Sequence, residues 1–150
     1  PEAQAETAEA LMSGLWPDGA PPERAAACAE ALAALALPEA APVFAPGAIA
    51  EAALSVALPG LGRVSGRLDR AAIGAASILA VDFKTDAAPP AGPEAAPDAY
   101  LAQMAAYREA LRRLHPGRTV TLALLWTAVP RLDALPDALL DAALARAGAS

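Results

Sequence analysis

The sequence predicts a mixed α/β domain, in which a small sheet is flanked by helices. Three observations favour this fold class. Residues 1–41 have the alanine-rich composition of helices, residues 53–85 contain strand-like apolar pieces separated by glycine, and an apolar run at 119–129 follows a helical segment. A chain of 150 residues is long enough for one hydrophobic core. We therefore expect one domain, with a helical N-terminal part over residues 1–41 and a core over residues 51–150.

Proline and glycine mark the ends of the N-terminal elements. A first helix is predicted over residues 5–16 and is ended by Pro17-Asp18-Gly19. A second is predicted over residues 23–37, with prolines at its start and Pro38 after its end. Residues 42–47 are interpreted as a connector.

The remaining elements alternate between strand and helix. Strands are predicted at 53–58, 62–73 and 77–85, since Pro59-Gly60 and Gly74 separate three pieces of strand character. After a Pro/Ala/Gly-rich loop, further elements are predicted in the order helix 98–114, doubly buried strand 119–129 and helix 137–147. The sheet should thus have about four strands.

Composition excludes several classes of function. The net charge of −6 argues against a chain that holds nucleic acid by bulk electrostatic attraction. One cysteine excludes an internal disulfide and a four-cysteine metal site. The sequence contains neither a window typical of a membrane span nor a signal-peptide pattern, so we expect a cytoplasmic protein without membrane contact. The chain begins at Pro1 without methionine, which we interpret as a fragment of a larger protein.

The chain contains one lysine, Lys84, against ten arginines. It follows Asp82 by two residues on an apolar predicted strand, so the two side chains share a face. If residues 74–77 form a hairpin loop, Ile73 pairs with Ile78 and Asp69 falls opposite Asp82, where facing carboxylates repel unless a cation lies between them. Oxygen ligands of this kind suit Mg²⁺ or Mn²⁺. The alternative is a pair of solvated carboxylates with a salt-bridged lysine.

Three side chains form one stripe of the helix predicted at 98–114. Tyr100, Gln103 and Tyr107 are spaced i, i+3 and i+7. Taken alone, such a stripe is more typical of a helix face packed on a core than of a functional site.

Together these segments resemble the RecB-type PD-(D/E)XK nucleases, which have a Gly-x-hydrophobic-Asp motif, an Asp-aromatic-Lys-Ser/Thr motif and a helical Gln-x-x-x-Tyr. From about residue 22 to its end, the chain is similar to the C-terminal nuclease domain of the AddA family of helicase–nuclease subunits. The segments that carry the resemblance are Gly66-Arg67-Leu68-Asp69-Arg70, Val81-Asp82-Phe83-Lys84-Thr85 and Tyr100-x-x-Gln103-x-x-x-Tyr107, with Phe44-Ala45-Pro46-Gly47, Ala50-Glu51 and Ala123-Leu124-Leu125-Trp126-Thr127 around them.

The resemblance implies a restriction-endonuclease-like fold and a role for each matching residue. Asp69 and Asp82 would bind Mg²⁺, with Mn²⁺ as a substitute, and the Phe83 backbone carbonyl would be a further ligand. Lys84 would orient or activate the attacking water and offset charge on the scissile phosphate.

The other matching residues would surround this centre. Gln103 and Tyr107 would support the site and the nearby DNA strand. Glu51 matches an acidic residue that precedes the first core strand in the family and would complete the metal shell.

The main hypothesis is a Mg²⁺-dependent deoxyribonuclease, an exonuclease acting on a single strand or unwound duplex end in double-strand break repair. Its implied partners are an AddB-like subunit and the helicase domains of its own longer chain. Two alternatives stay open: a catalytically silent nuclease fold with a structural or docking role in a helicase complex, and a small αβ binding domain unrelated to DNA.

Overall fold

A computed structural model describes residues 2–60 and 62–148, so the predicted domain limits at residues 1 and 150 lie outside the described part. The elements, in chain order, are α1 (Glu2–Leu15), α2 (Pro21–Leu35), a 3₁₀ turn (Pro38–Ala40), α3 (Ala41–Phe44), β1 (Ile49–Leu58), β2 (Gly62–Ile73), β3 (Ser77–Lys84), a 3₁₀ turn (Pro93–Ala95), α4 (Asp98–Leu114), β4 (Thr119–Trp126), β5 (Arg131–Ala134) and α5 (Asp137–Gly148).

The strands form one five-stranded sheet in the order β1-β2-β3-β4-β5. β3 and β4 are parallel, and the other neighbouring pairs are antiparallel. A parallel pair needs a crossover connection, which here is α4. This mixed sheet flanked by helices confirms the predicted α/β class and is consistent with a restriction-endonuclease-like fold.

The predicted element list needs three corrections. The sheet has five strands rather than about four, because the short strand Arg131–Ala134 was not predicted. β1 begins at Ile49, ahead of the predicted start at residue 53. Part of the predicted connector 42–47 belongs to the short helix Ala41–Phe44, which places Phe44 against the ring of Phe83 with 6.1 Å between centroids.

Both faces of the central strands are buried. One face packs against α4 and α5 through a cluster that includes Ile78, Ala80, Leu124, Leu101 and Leu140. The other packs against the segment from α2 to α3 through residues that include Ala34, Val43, Val81 and Leu125. Covered on both sides, β3 and β4 are nearly continuous apolar runs, so a charged side chain can reach water there only near a strand end.

A buried arginine joins α5 to α4. The Arg108 side chain is 1% exposed and donates hydrogen bonds to Glu109, to the backbone and side chain of Asp137, and to Asp141. Burial acts to lower the pKa of the Arg108 guanidinium, but the hydrogen bonds to Asp141 and Asp137 outweigh it and the pKa is raised. Arg108 therefore stays charged and holds the start of α5 against α4.

No single helix within residues 2–60 and 62–148 is long and apolar enough to cross a membrane. In that described part of the chain, one pair of helices, Pro21–Leu35 and Pro38–Phe44, reaches the required length and composition when taken together, and the two are bent by 72° relative to each other.

Candidate functional site

Asp82 and Lys84 form an ion pair at the C-terminal end of β3. The Lys84 Nζ lies 2.6 Å from Asp82 Oδ2, and the side chains are 12% and 8% exposed. Their shared face was predicted from the two-residue period of a strand. A pair this poorly solvated has a stronger mutual attraction than a surface ion pair, and it carries no net charge.

Asp69 reaches the same strand end from β2. The predicted hairpin register is confirmed from the Ile73–Ile78 pair to the Arg70–Val81 pair, where the backbone ladder ends. Beyond it, Asp69 Oδ2 accepts a 2.7 Å hydrogen bond from the Phe83 backbone N–H. The Asp69 carboxylate thus takes the place of a backbone partner for β3 at Phe83, the residue that follows Asp82 in the chain.

The alternation of β2 is interrupted at Asp69, which was not predicted. Leu68 and Ala71 belong to the same core cluster although they are three residues apart, whereas regular alternation would place them on opposite faces. Arg70 instead lies over the ring of Phe44 on the other face, with 5.7 Å from its guanidinium carbon to the ring centroid. The register between β1 and β2 is the same on both sides of Asp69, so no residue is inserted, and the interruption directs the Asp69 side chain toward the end of β3.

Glu51 lies in β1 between the residues that pair with Arg70 and Leu68. Its φ of +50° is a left-handed conformation that non-glycine residues rarely adopt. Its carboxylate accepts a 2.9 Å hydrogen bond from Arg67, and both side chains are well exposed. Among the described residues no three Asp, Glu, His or Cys side chains are grouped to hold a metal, so the structure does not bring Glu51 to Asp69 and Asp82.

The Phe83 carbonyl is directed toward β2. Successive backbone groups of a strand alternate between its two neighbours. The Lys84 carbonyl accepts a 3.0 Å hydrogen bond from the Thr127 N–H and therefore faces β4. The Phe83 carbonyl consequently points to the opposite side, where the Phe83 N–H already meets Asp69.

Gln103 and Tyr107 lie together on α4, as the helical spacing predicts. Gln103 Nε2 donates a 3.1 Å hydrogen bond to the Tyr107 hydroxyl, and Tyr107 is 6% exposed. A Cβ added at Gly66 would lie 2.6 Å from two ring atoms of Tyr107. The glycine of the first motif therefore leaves the space that the tyrosine of the third motif fills, a link that spacing along the chain does not reveal.

Tyr100 brings α4 into contact with Lys84 of the charged pair. Lys84 Nζ lies 3.8 Å from the centroid of the Tyr100 ring. The Tyr100 hydroxyl donates to Asp86 Oδ1 and Oδ2 at 3.3 and 3.2 Å. The helical stripe singles out Tyr100 in the sequence, but nothing there signals its contact with Lys84 or the part played by Asp86.

A groove of about 540 Å³ lies beside the turn between β1 and β2 and the facing sides of α4 and α5, and neither Asp69 nor Asp82 lines it. Its lining includes Leu58, Gly60, Glu109 and Asp141.

The comparisons with known proteins identify a superfamily. A family model described as the PD-(D/E)XK nuclease superfamily matches residues 1–146. The comparison with curated proteins gave no match. The match covers nearly the whole chain, including β2, β3 and α4, which carry Asp69, Asp82, Lys84 and the Gln103–Tyr107 pair. The chain belongs to the PD-(D/E)XK nuclease superfamily.

Proposed function

We propose that this chain is the Mg²⁺-dependent deoxyribonuclease domain of an AddA-type helicase–nuclease, which hydrolyses phosphodiester bonds of DNA during double-strand break repair. One observation carries the proposal. Asp69 on β2 accepts a hydrogen bond from the backbone of Phe83, between Asp82 and Lys84, which pair with each other, in a chain of a nuclease superfamily. The order and spacing of the three motifs support the RecB type within that superfamily.

The residues at the strand end fit a hard divalent cation. In both aspartates the described interaction goes through Oδ2, which leaves Oδ1 of each carboxylate for a metal. The Phe83 carbonyl points to the same side. Mg²⁺ is usually held by one or two carboxylates and keeps several waters and substrate oxygens, so two aspartates and a carbonyl suffice, with Mn²⁺ as a substitute. When bound, such a cation lowers the pKa of its water and stabilises negative charge on the phosphate.

The chain's own groups account for the rest of the reaction. Lys84 places a positive charge beside the carboxylates, where it offsets charge that develops on the scissile phosphate and orients the attacking water. Gln103 and Tyr107 are hydrogen-bonded to each other and Tyr107 packs over Gly66, so we propose that they hold α4 against β2. Because the protein has a net charge of −6, we propose that an AddA-type motor and an AddB-like subunit deliver the DNA strand to this site in the cytoplasm.

One observation is equally compatible with the alternative, a nuclease-fold module without catalysis. The Lys84 ammonium already neutralises Asp82, so a pair that is only structural would show the same contact. The two functions differ in whether the protein binds a divalent cation and cuts DNA.

The test is a cleavage assay with end-labelled single-stranded DNA in Mg²⁺, Mn²⁺ or EDTA. We expect cutting with either metal and none in EDTA, and a loss of roughly 100-fold or more for Asp82→Asn and Lys84→Ala. Asp18→Asn, in the exposed turn between α1 and α2, is the matched control and should cut like the parent.

Two results would count against the proposal. Equal cutting by the parent, Asp82→Asn and Lys84→Ala would show that the site is wrongly assigned. A folded parent that neither binds Mn²⁺, measured by calorimetry, nor cuts DNA would support the silent module.

A further inference from the structure

We infer that Tyr100 is a positioning residue for Lys84: the face of its ring holds the lysine ammonium in the site, and Asp86 fixes the ring. The inference rests on the proposed nuclease function for its catalytic meaning. The contact on which it depends can be measured without DNA or metal.

The Lys84 ammonium lies over the face of the Tyr100 ring. Lys84 Nζ lies 3.8 Å from the Tyr100 ring centroid, well within the range in which an aromatic face attracts a cation. The Lys84 side chain is 12% exposed, so water competes little for the ammonium. Cation–π attraction is strongest under these desolvated conditions.

The Tyr100 ring is itself held in place by its neighbours. Tyr100 belongs to the first turn of α4, and its ring lies 6.3 Å from the ring of the fully buried Trp126. At its far end, the hydroxyl donates to both carboxylate oxygens of Asp86. A ring fixed by its backbone, by a buried neighbour and by its hydroxyl presents its face to Lys84 in one orientation.

Tyr100 holds Lys84 without using a proposed metal ligand. The other described partner of Lys84 is the carboxylate of Asp82, which is also a proposed metal ligand. The Lys84 ammonium and the metal would then both bind the Asp82 carboxylate. The ring attracts the ammonium without using a carboxylate oxygen, so it can hold Lys84 in place while Asp82 serves the metal.

The composition of the chain makes the contact directly measurable. Lys84 is the only lysine, so protein grown with ¹³C-labelled lysine gives one set of side-chain signals. A proton over an aromatic face is shifted upfield by the ring current. We expect upfield-shifted Hε signals in the parent and in Tyr100→Phe, and signals close to those of free lysine in Tyr100→Leu. An upfield shift that survives in Tyr100→Leu would overturn the inference.

Cleavage kinetics then separate positioning from a general effect on the fold. We expect Tyr100→Leu to lower kcat about 10-fold with little change in KM, and Tyr100→Phe, which keeps the ring face, to recover most of that loss. In a Lys84→Ala background, Tyr100→Leu should cause no further loss, because there is no ammonium left to hold. Equal losses in both backgrounds would mean a merely structural role and would overturn the inference.

Two controls keep the result decisive. Circular dichroism melting establishes that each variant is folded, and Tyr100→Met, whose unbranched flexible side chain adapts to an irregular gap without a ring, replaces Tyr100→Leu if that variant does not fold. If the parent cuts no DNA, the proposed function fails, whereas the lysine signals still decide whether Tyr100 holds Lys84.

Discussion

Replacing Gly66 with alanine tests whether β2 and α4 form one packing unit at the site. The added Cβ would lie 2.6 Å from Cε1 or Cζ of Tyr107, with the hydroxyl closer still. Real Cβ contacts essentially never fall below 3.0 Å. Because Tyr107 is 6% exposed, its ring has little free space to move into. Either the ring leaves its place or α4 moves away from β2.

The expected cost has two parts. Overpacking of a well-packed core costs about 1–3 kcal/mol. Displacement of Tyr107 also breaks its hydrogen bond with Gln103, which contributes about 1 kcal/mol. Gly66→Ala should therefore lower the free energy of unfolding by about 2–4 kcal/mol, a large share of the stability of a domain this size.

Urea unfolding followed by circular dichroism measures this loss as a lower midpoint. Gly14→Ala in α1 is the matched control, since a Cβ there meets nothing within 4 Å, and it should be neutral or stabilising by up to about 1 kcal/mol. The double variant Gly66→Ala/Tyr107→Ala should lose no more than Tyr107→Ala alone, because the clash is gone. An unchanged midpoint for Gly66→Ala, or strictly additive losses in the double variant, would refute the reasoning.

Three further changes test other parts of the structure. Arg108→Met should lower the unfolding free energy by about 2–3 kcal/mol, limited by the exposure of its acidic partners. The raised pKa of Arg108 contributes stability that is lost only as the pH rises through the pKa of the folded state, which lies above the range of the assay. The loss caused by Arg108→Met, read from urea midpoints, should therefore be the same at about pH 6 and about pH 9. Glu51→Gly should raise the free energy of unfolding by about 1 kcal/mol, because glycine adopts a positive φ without strain. Slower DNA cleavage by this variant would indicate that Glu51 is a metal ligand. Asp133→Ala removes the acceptor of the buried Trp126 N–H and should cost about 1–3 kcal/mol, read from Trp126 fluorescence during urea unfolding in a Trp16→Phe background.

Local pattern was sufficient to predict much of the fold. The period of β3, the boundaries of α4 and the pairing of Ile73 with Ile78 each depend on residues close together in the chain. β5 was missed because Arg131–Ala134 is only four residues long and lies between prolines, so its alternation is no stronger than that of a loop.

Some contacts of the candidate site follow from local sequence pattern, and others do not. Asp82 and Lys84 share a face by strand period alone. The turn of Asp69 toward Phe83 depends on interrupted alternation in β2, next to a left-handed Glu51, and no glycine marks either position. The contact of Tyr100 with Lys84 depends on how α4 docks on the sheet, which is a tertiary property that helical spacing cannot specify.

The parallel pairing of β3 with β4 has a consequence for when the candidate site is completed during protein synthesis. A ribosome releases Asp69, Asp82 and Lys84 well before α4 and β4, which supply Tyr100 and the backbone partner of Lys84 at Thr127. Until residues 119–126 are available, β3 is an edge strand with an open side. We expect the growing chain to carry its carboxylates early, while the proposed nuclease activity appears only after the crossover closes.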